Sequence, residues 1–225
     1  MNYYGSEQFK EFAKEKEERV FSHCDMSSPY QEESIDGGYI LKRYYYEEER
    51  RNPFIAAERG EICRLYRGPE FVFEWKNYDG RSLFKIIAHS NGKKYLLFKE
   101  DLYGYAVLDL ETYEAVHYLP WESYQSGDSF EETLIWITAD YDRDSDLLAV
   151  DGCIWAESGG SVIVLDFKDP MKIVETDKWL DIGDLAVKQS KYDNGFRFVS
   201  WEKDRLVCSS FEIEKKELFK LLDLH

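Results

Sequence analysis

The chain has 225 residues, 44% hydrophobic and 16% aromatic, enough apolar matter for a substantial core and too much for a disordered protein. Against 29 Lys and Arg stand 45 Asp and Glu, a formal net charge of −16 that disfavours nucleic acid and anionic membrane as partners and favours a cationic one. No apolar run reaches the roughly 18 residues of a membrane span, and residues 1–16 are polar and charged, so no secretory leader is expected and the cytoplasm is the expected compartment.

Residues 6–21 form the first expected element, a helix. Ser6 can cap it, Phe9, Phe12, Ala13, Val20 and Phe21 share a face, and Lys/Glu pairs cover the remainder. Its narrow stripe suits a helix packed outside a larger body; Ser27-Ser28-Pro29 breaks any helix, and the helix-and-linker region is taken as 1–35. From Asp36-Gly37-Gly38 the chain turns to strand patterns, and 36–225 is expected to be a single all-β domain. Its first unit has strands at 39–46, 54–57, 61–66 and 70–75. The second has strands at 83–89 and 94–99 around Asn91-Gly92, a strong hairpin signal, followed by the hairpin 105–120. The third unit places strands at 134–138, 147–155, 162–167 and 172–175, and the fourth at 185–187, 196–201, 206–213 and 218–222. Three of the four cysteines, Cys24, Cys63, Cys153 and Cys208, lie inside apolar strand patterns. All four are far apart with no Cys-x-x-Cys pair, so buried free thiols are expected.

The hairpin 107–116 matches 164–173 in its order of apolar and polar positions, 211–222 follows the same pattern, and 63–72 is a weaker copy. Four strands per unit at a repeat of roughly 40–50 residues is the signature of propeller blades. The strand, Asp, short turn, strand pattern of 107–116 and 164–173 resembles the end of a WD40-like β-propeller blade, although no Gly-His opens a unit and no Trp-Asp ends a third strand. That resemblance implies an all-β fold of four antiparallel four-stranded meanders, propeller-like, with one N-terminal helix. A β-sandwich of the same strands is the alternative.

Catalytic chemistry has little support. No Gly-x-Ser-x-Gly, phosphate loop or dinucleotide fingerprint is present, His23, His89, His117 and His225 lie in unrelated contexts, and no cofactor is expected. The run Asp140-x-Asp142-x-Asp144-x-Asp146, with Asp151 beyond, resembles a calcium loop in spacing, but Ser145 stands where the sharp turn requires glycine. A calcium-dependent hydrolase or carbohydrate-binding protein using this loop is therefore an alternative, and no metal ligands are assigned. The favoured expectation is a non-catalytic protein-binding module, in a narrower form an acidic immunity-type or inhibitor protein that engages a basic partner. The expected contact residues are Trp121, Tyr124, Asp142, Asp144 and Trp179, aromatics and acids near strand ends. The oligomeric state is left open.

Overall fold

The computed structural model describes residues 1–49, 57–78, 83–124, 134–153, 161–182 and 198–222, with the main chain of 188–189. The fold is all-β: four antiparallel four-stranded sheets and an N-terminal helix, α1 (Glu7–Arg19). The first sheet holds β1 (Gln31–Ile35), β2 (Tyr39–Glu47), β3 (Arg59–Arg67) and β4 (Glu70–Asn77). The second holds β5 (Phe84–Ala88), β6 (Lys94–Phe98), β7 (Tyr105–Asp109) and β8 (Ala115–Tyr118). The third holds β9 (Ile135–Asp142), β10 (Leu147–Cys153), β11 (Ser161–Asp166) and β12 (Leu180–Asp181). The fourth holds β13 (Lys188–Gln189), β14 (Val199–Trp201), β15 (Arg205–Cys208) and β16 (Phe211–Glu214). Four sheets replace the two that a sandwich would require.

Period-two side-chain alternation makes these sheets stack. In β6 and β7, Leu96, Phe98, Ala106 and Leu108 face the first sheet, meeting Leu41, Leu65 and Trp75. Their neighbours Tyr95, Leu97, Tyr105 and Val107 face the third sheet, meeting Trp136, Leu148, Val150 and Leu165. Leu147, Ala149, Val162 and Val164 on the opposite side of that sheet pack on Leu206, Cys208, Phe211 and Ile213 of the fourth. The middle sheets are thus buried on both faces, which makes the stack propeller-like, and each fully buried Leu or Val contributes about 1.5–3 kcal/mol. Among the described residues no apolar cluster joins the fourth sheet to the first. Part of the first sheet's outer face is covered instead by the segment after α1, where Val20, Phe21 and Cys24 pack on Tyr44 and Ile62. Gly60 permits this contact, because a Cβ there would lie 2.7 Å from both Val20 and Phe21.

Several elements differ from the sequence expectation. Gln31–Ile35, assigned to the linker, is the outermost strand of the first sheet. The expected strand 54–57 lies almost wholly outside the described residues, as does 185–187. Residues 172–175 are not a strand; the fourth strand of the third sheet is Leu180–Asp181, after a single 3-10 turn at Thr176–Lys178. The segment 218–222 belongs to a helix, α2 (Lys215–Leu221), where Lys220 pairs with Glu217 one turn back and Leu218 is buried. Strong helix formers with i,i+3 pairing favour the helix over a return strand. In the fourth sheet β13 pairs with β16, so β14–β16 form a three-strand meander with β13 added at its edge.

Hairpin turns from each of the four sheets gather at one end of the stack. Lys94 pairs with Asp36 at 2.9 Å and the Tyr39 hydroxyl donates to the Leu110 carbonyl, joining the turns of the first two sheets. His89 and Ser90 reach the Phe167 carbonyl and the Tyr141 hydroxyl of the third sheet. Lys215, just after β16, pairs with Asp142 at 2.8 Å. This turn-lined end is a continuous rim. The N-terminal segment docks towards the other end, where the Tyr3 amide donates to the Leu119 carbonyl at 2.7 Å.

Candidate functional site

The acidic run does not converge on a common centre. Asp140 and Asp142 lie within β9, and only 143–146 form the turn. Asp140 accepts from Lys85 and from the Trp201 amide, Asp142 binds Lys215 and Ser145, and Asp146 accepts from the Tyr141 hydroxyl. Asp151 is buried in β10 and accepts from the Ser209 hydroxyl at 2.7 Å. Among the described residues no group of three or more His, Cys, Asp or Glu side chains is placed to hold a metal ion. Asp140 and Asp142 clamp the sheets through Lys85 and Lys215, while Asp146 and Asp151 accept from hydroxyls.

Of the five expected contact residues, only Asp144 is exposed, in the β9–β10 turn. Asp142 is buried against Lys215. Trp121 and Tyr124 share a 3-10 turn (Trp121–Tyr124) that receives the N-terminal segment: Tyr3 stacks on Tyr124 at 4.4 Å and meets Trp121 edge-on at 5.7 Å. The Tyr124 hydroxyl donates to Asp101 at 3.0 Å, and burial, followed by the charge of Asp101, pushes its ionisation well above the ordinary tyrosine range. Trp179 closes the core between the second and third sheets, edge-on to Tyr118 and Trp136, while its indole N–H donates to the Val174 carbonyl at 2.9 Å. The structure therefore joins Trp121 to Tyr124 and places Trp179 and the two acids elsewhere.

His89 also has a structural setting. Its Nδ1 accepts the Asn91 amide at 3.1 Å, which leaves Nε2 to donate to the Phe167 carbonyl at 2.9 Å. His117 binds Glu100 at 2.8 Å beneath the stacked ring of Tyr4. Among the described residues neither imidazole is hydrogen-bonded to a Ser, Thr or Cys side chain.

The rim has two electrostatic parts. Most of it is acidic: Lys93 pairs with Asp109, Lys94 with Asp36, Arg205 with Asp204 and Lys215 with Asp142, while Arg67, Arg143 and Lys203 stand exposed among more numerous carboxylates. Burial opposes ionisation of Asp109, but Lys93 and the amides of Glu111 and Thr112 prevail and hold its carboxyl below the usual range. Exposed Glu70, Glu114, Asp144 and Glu202 remain on the turns.

The exception lies in the long β11–β12 connection, where a pocket of about 330 Å³ is lined by Lys168, Lys172 and Lys178 with Asp166 and Asp169. The chain folds there because Asp166 accepts the Lys168 amide at 2.9 Å and Asp169 accepts the Met171 amide at 3.2 Å, so each carboxylate nucleates a turn. Sequence reasoning passed over these lysines, since three lysines over eleven residues of polar chain look like a solvated surface. Their concentration beside Asp169-Pro170 in so acidic a chain was the available signal.

No family model matches this chain, and no curated protein matches it.

Proposed function

We propose that the chain is a non-catalytic protein-binding module that presents the acidic, turn-lined end of a four-sheet scaffold to a basic protein. The observation that carries the reading is the excess of carboxylates on that rim: four of its cations are tied to local acids, and Glu70, Glu111, Glu114, Asp144 and Glu202 stand exposed on the turns against Arg67, Arg143 and Lys203, in a chain of net charge −16. Such a surface speeds association with a cationic partner and discriminates against anionic ones. A narrower form of the same reading is an immunity-type or inhibitor protein covering a basic toxin or enzyme, built on a divergent propeller-type repeat. The Asp140–Asp151 carboxylates do not converge, so nothing favours the calcium-dependent alternative.

Affinity capture at low and high salt, followed by kinetics with the purified captured protein, tests the proposal. The expected result is a basic partner whose association rate falls steeply with ionic strength and falls again when Asp144 and Glu114 are changed to Lys. A chain that retains no protein in a salt-dependent way rejects it.

A further inference from the structure

The β11–β12 pocket stands apart from the acidic rim around it, and we infer that it binds a small phosphorylated, hydroxyl-bearing molecule of the sugar-phosphate class. Its volume of about 330 Å³ falls at the small end of the range that small-molecule sites occupy. Among the described residues, Lys172 and Lys178 make no ion pair, and the carboxylate influenced by Lys168 is Asp146, outside the pocket lining. Elsewhere on the rim, Lys93, Lys94, Arg205 and Lys215 are each tied to a carboxylate, and Arg67, Arg143 and Lys203 stand singly on separate turns. Lys172, Lys178 and the exposed Lys168 outnumber the lining carboxylates Asp166 and Asp169 and so form a local positive centre in a chain of net charge −16.

The rest of the lining narrows the ligand further. Asp166 and Asp169 each commit one oxygen to a turn amide, which leaves the second free to accept. A ligand anionic over its whole surface would meet both carboxylates with like charge. A ligand with a phosphate at one end and hydroxyls at the other uses both signs: the ammonium groups bind the phosphate and the carboxylates accept from the hydroxyls. Ile173 and Val174 give the carbon skeleton an apolar wall.

Calorimetric titration of the full chain with glucose 6-phosphate, inorganic phosphate and glucose tests this assignment. Glucose 6-phosphate is expected to bind saturably in the millimolar range or tighter, and more tightly than inorganic phosphate, with no binding of glucose. The triple variant K168Q/K172Q/K178Q should weaken glucose 6-phosphate binding by at least about tenfold, and the corresponding arginine variant should restore much of it. All three lysines are exposed, so the ligand-free melting temperature of the glutamine variant should match that of the parent chain. Absence of saturable binding overturns the inference, as does equal affinity of the parent and glutamine variants. Equal affinity for inorganic phosphate and glucose 6-phosphate overturns the role given to Asp166 and Asp169. None of these outcomes depends on whether a basic protein partner exists.

Discussion

Trp201 grips Asp140 twice: its amide donates to the carboxylate at 2.8 Å and its indole N–H to the main-chain carbonyl at 3.1 Å. Asp140 also receives Lys85 from β5, so one aspartate connects the second, third and fourth sheets. Asp140→Ala removes the acceptor for both partners and should cost about 2 kcal/mol, whereas Trp201→Phe loses only the indole bond and should cost about 1 kcal/mol plus a little packing. Asp140→Asn keeps an oxygen for the Trp201 amide and should fall between Asp140→Ala and the parent. Urea unfolding measures all three, and an Asp140→Ala midpoint equal to that of the parent would remove the bracing role.

Glu61 is fully buried beside Arg43, with the Tyr30 hydroxyl donating to it and an Arg43 nitrogen 3.5 Å away. Burial pushes its carboxyl up, against the lowering effects of Tyr30 and Arg43. Glu61→Ala removes the acceptor of the Tyr30 hydroxyl and one of two carboxylates beside Arg43, Glu33 remaining at 3.3 Å, and should cost about 2 kcal/mol. Glu61→Gln keeps an acceptor for Tyr30 and sheds the buried charge, so it should cost much less. Similar losses for the two variants would show that packing, not charge, is what Glu61 supplies.

Alkaline pH should unfold the protein through its tyrosines. Burial raises Tyr4 and Tyr105 to about 12, aided at Tyr4 by the charge of Glu100, and raises Tyr124 well above the ordinary value of 10. The folded chain therefore holds phenolic protons that the unfolded chain releases. The resulting stability is fully present below pH 10 and is lost as pH rises through about 12. Urea midpoints measured from pH 9 to 12 should decline while tyrosinate absorbance, followed in parallel, rises. A midpoint that stays flat over that window contradicts the assignment.

Gly104 has φ +75°, and an added Cβ would sit inside the contact distance of the Tyr118 carbonyl oxygen across the β7–β8 hairpin. Both the main chain and the neighbouring carbonyl oppose a side chain. Gly104→Ala should cost at least about 2 kcal/mol, read as a lowered melting temperature. An unchanged melting temperature would mean that the end of β8 moves away freely.

The elements that announced themselves in the sequence were those with both faces buried and a strong turn between them. The hairpins around Asn91-Gly92 and Glu111 formed as expected, because apolar runs bounded by turn residues leave few other arrangements. Strand β1, Gln-Glu-Glu-Ser-Ile, lies at a sheet edge with several side chains in water, so it carries no apolar alternation to detect. Asp140 and Asp142 looked like loop residues because the partners that permit them in a strand, Lys85 and Lys215, are remote in the chain. Trp121 and Tyr124 were recognised as exceptional, but their use by the N-terminal segment depends on Tyr3, 118 and 121 positions earlier. The lysine pocket exists only once the β11–β12 connection folds back on itself.

Burial on both faces has a cost in specificity. Leu96 and Leu97 point into different cores, as do Leu147 and Leu148, so sliding a middle strand by one residue would exchange one leucine for another with little loss of apolar contact. Hydrophobic burial alone therefore selects the correct pairing only weakly there. The choice falls to the polar rim, where Tyr113 and Asp146 adopt left-handed backbone at φ 59° and 56° and where His89 holds the Phe167 carbonyl. The turns act as the alignment marks of the stack, and substitutions in them should scramble strand pairing before they reduce overall compactness.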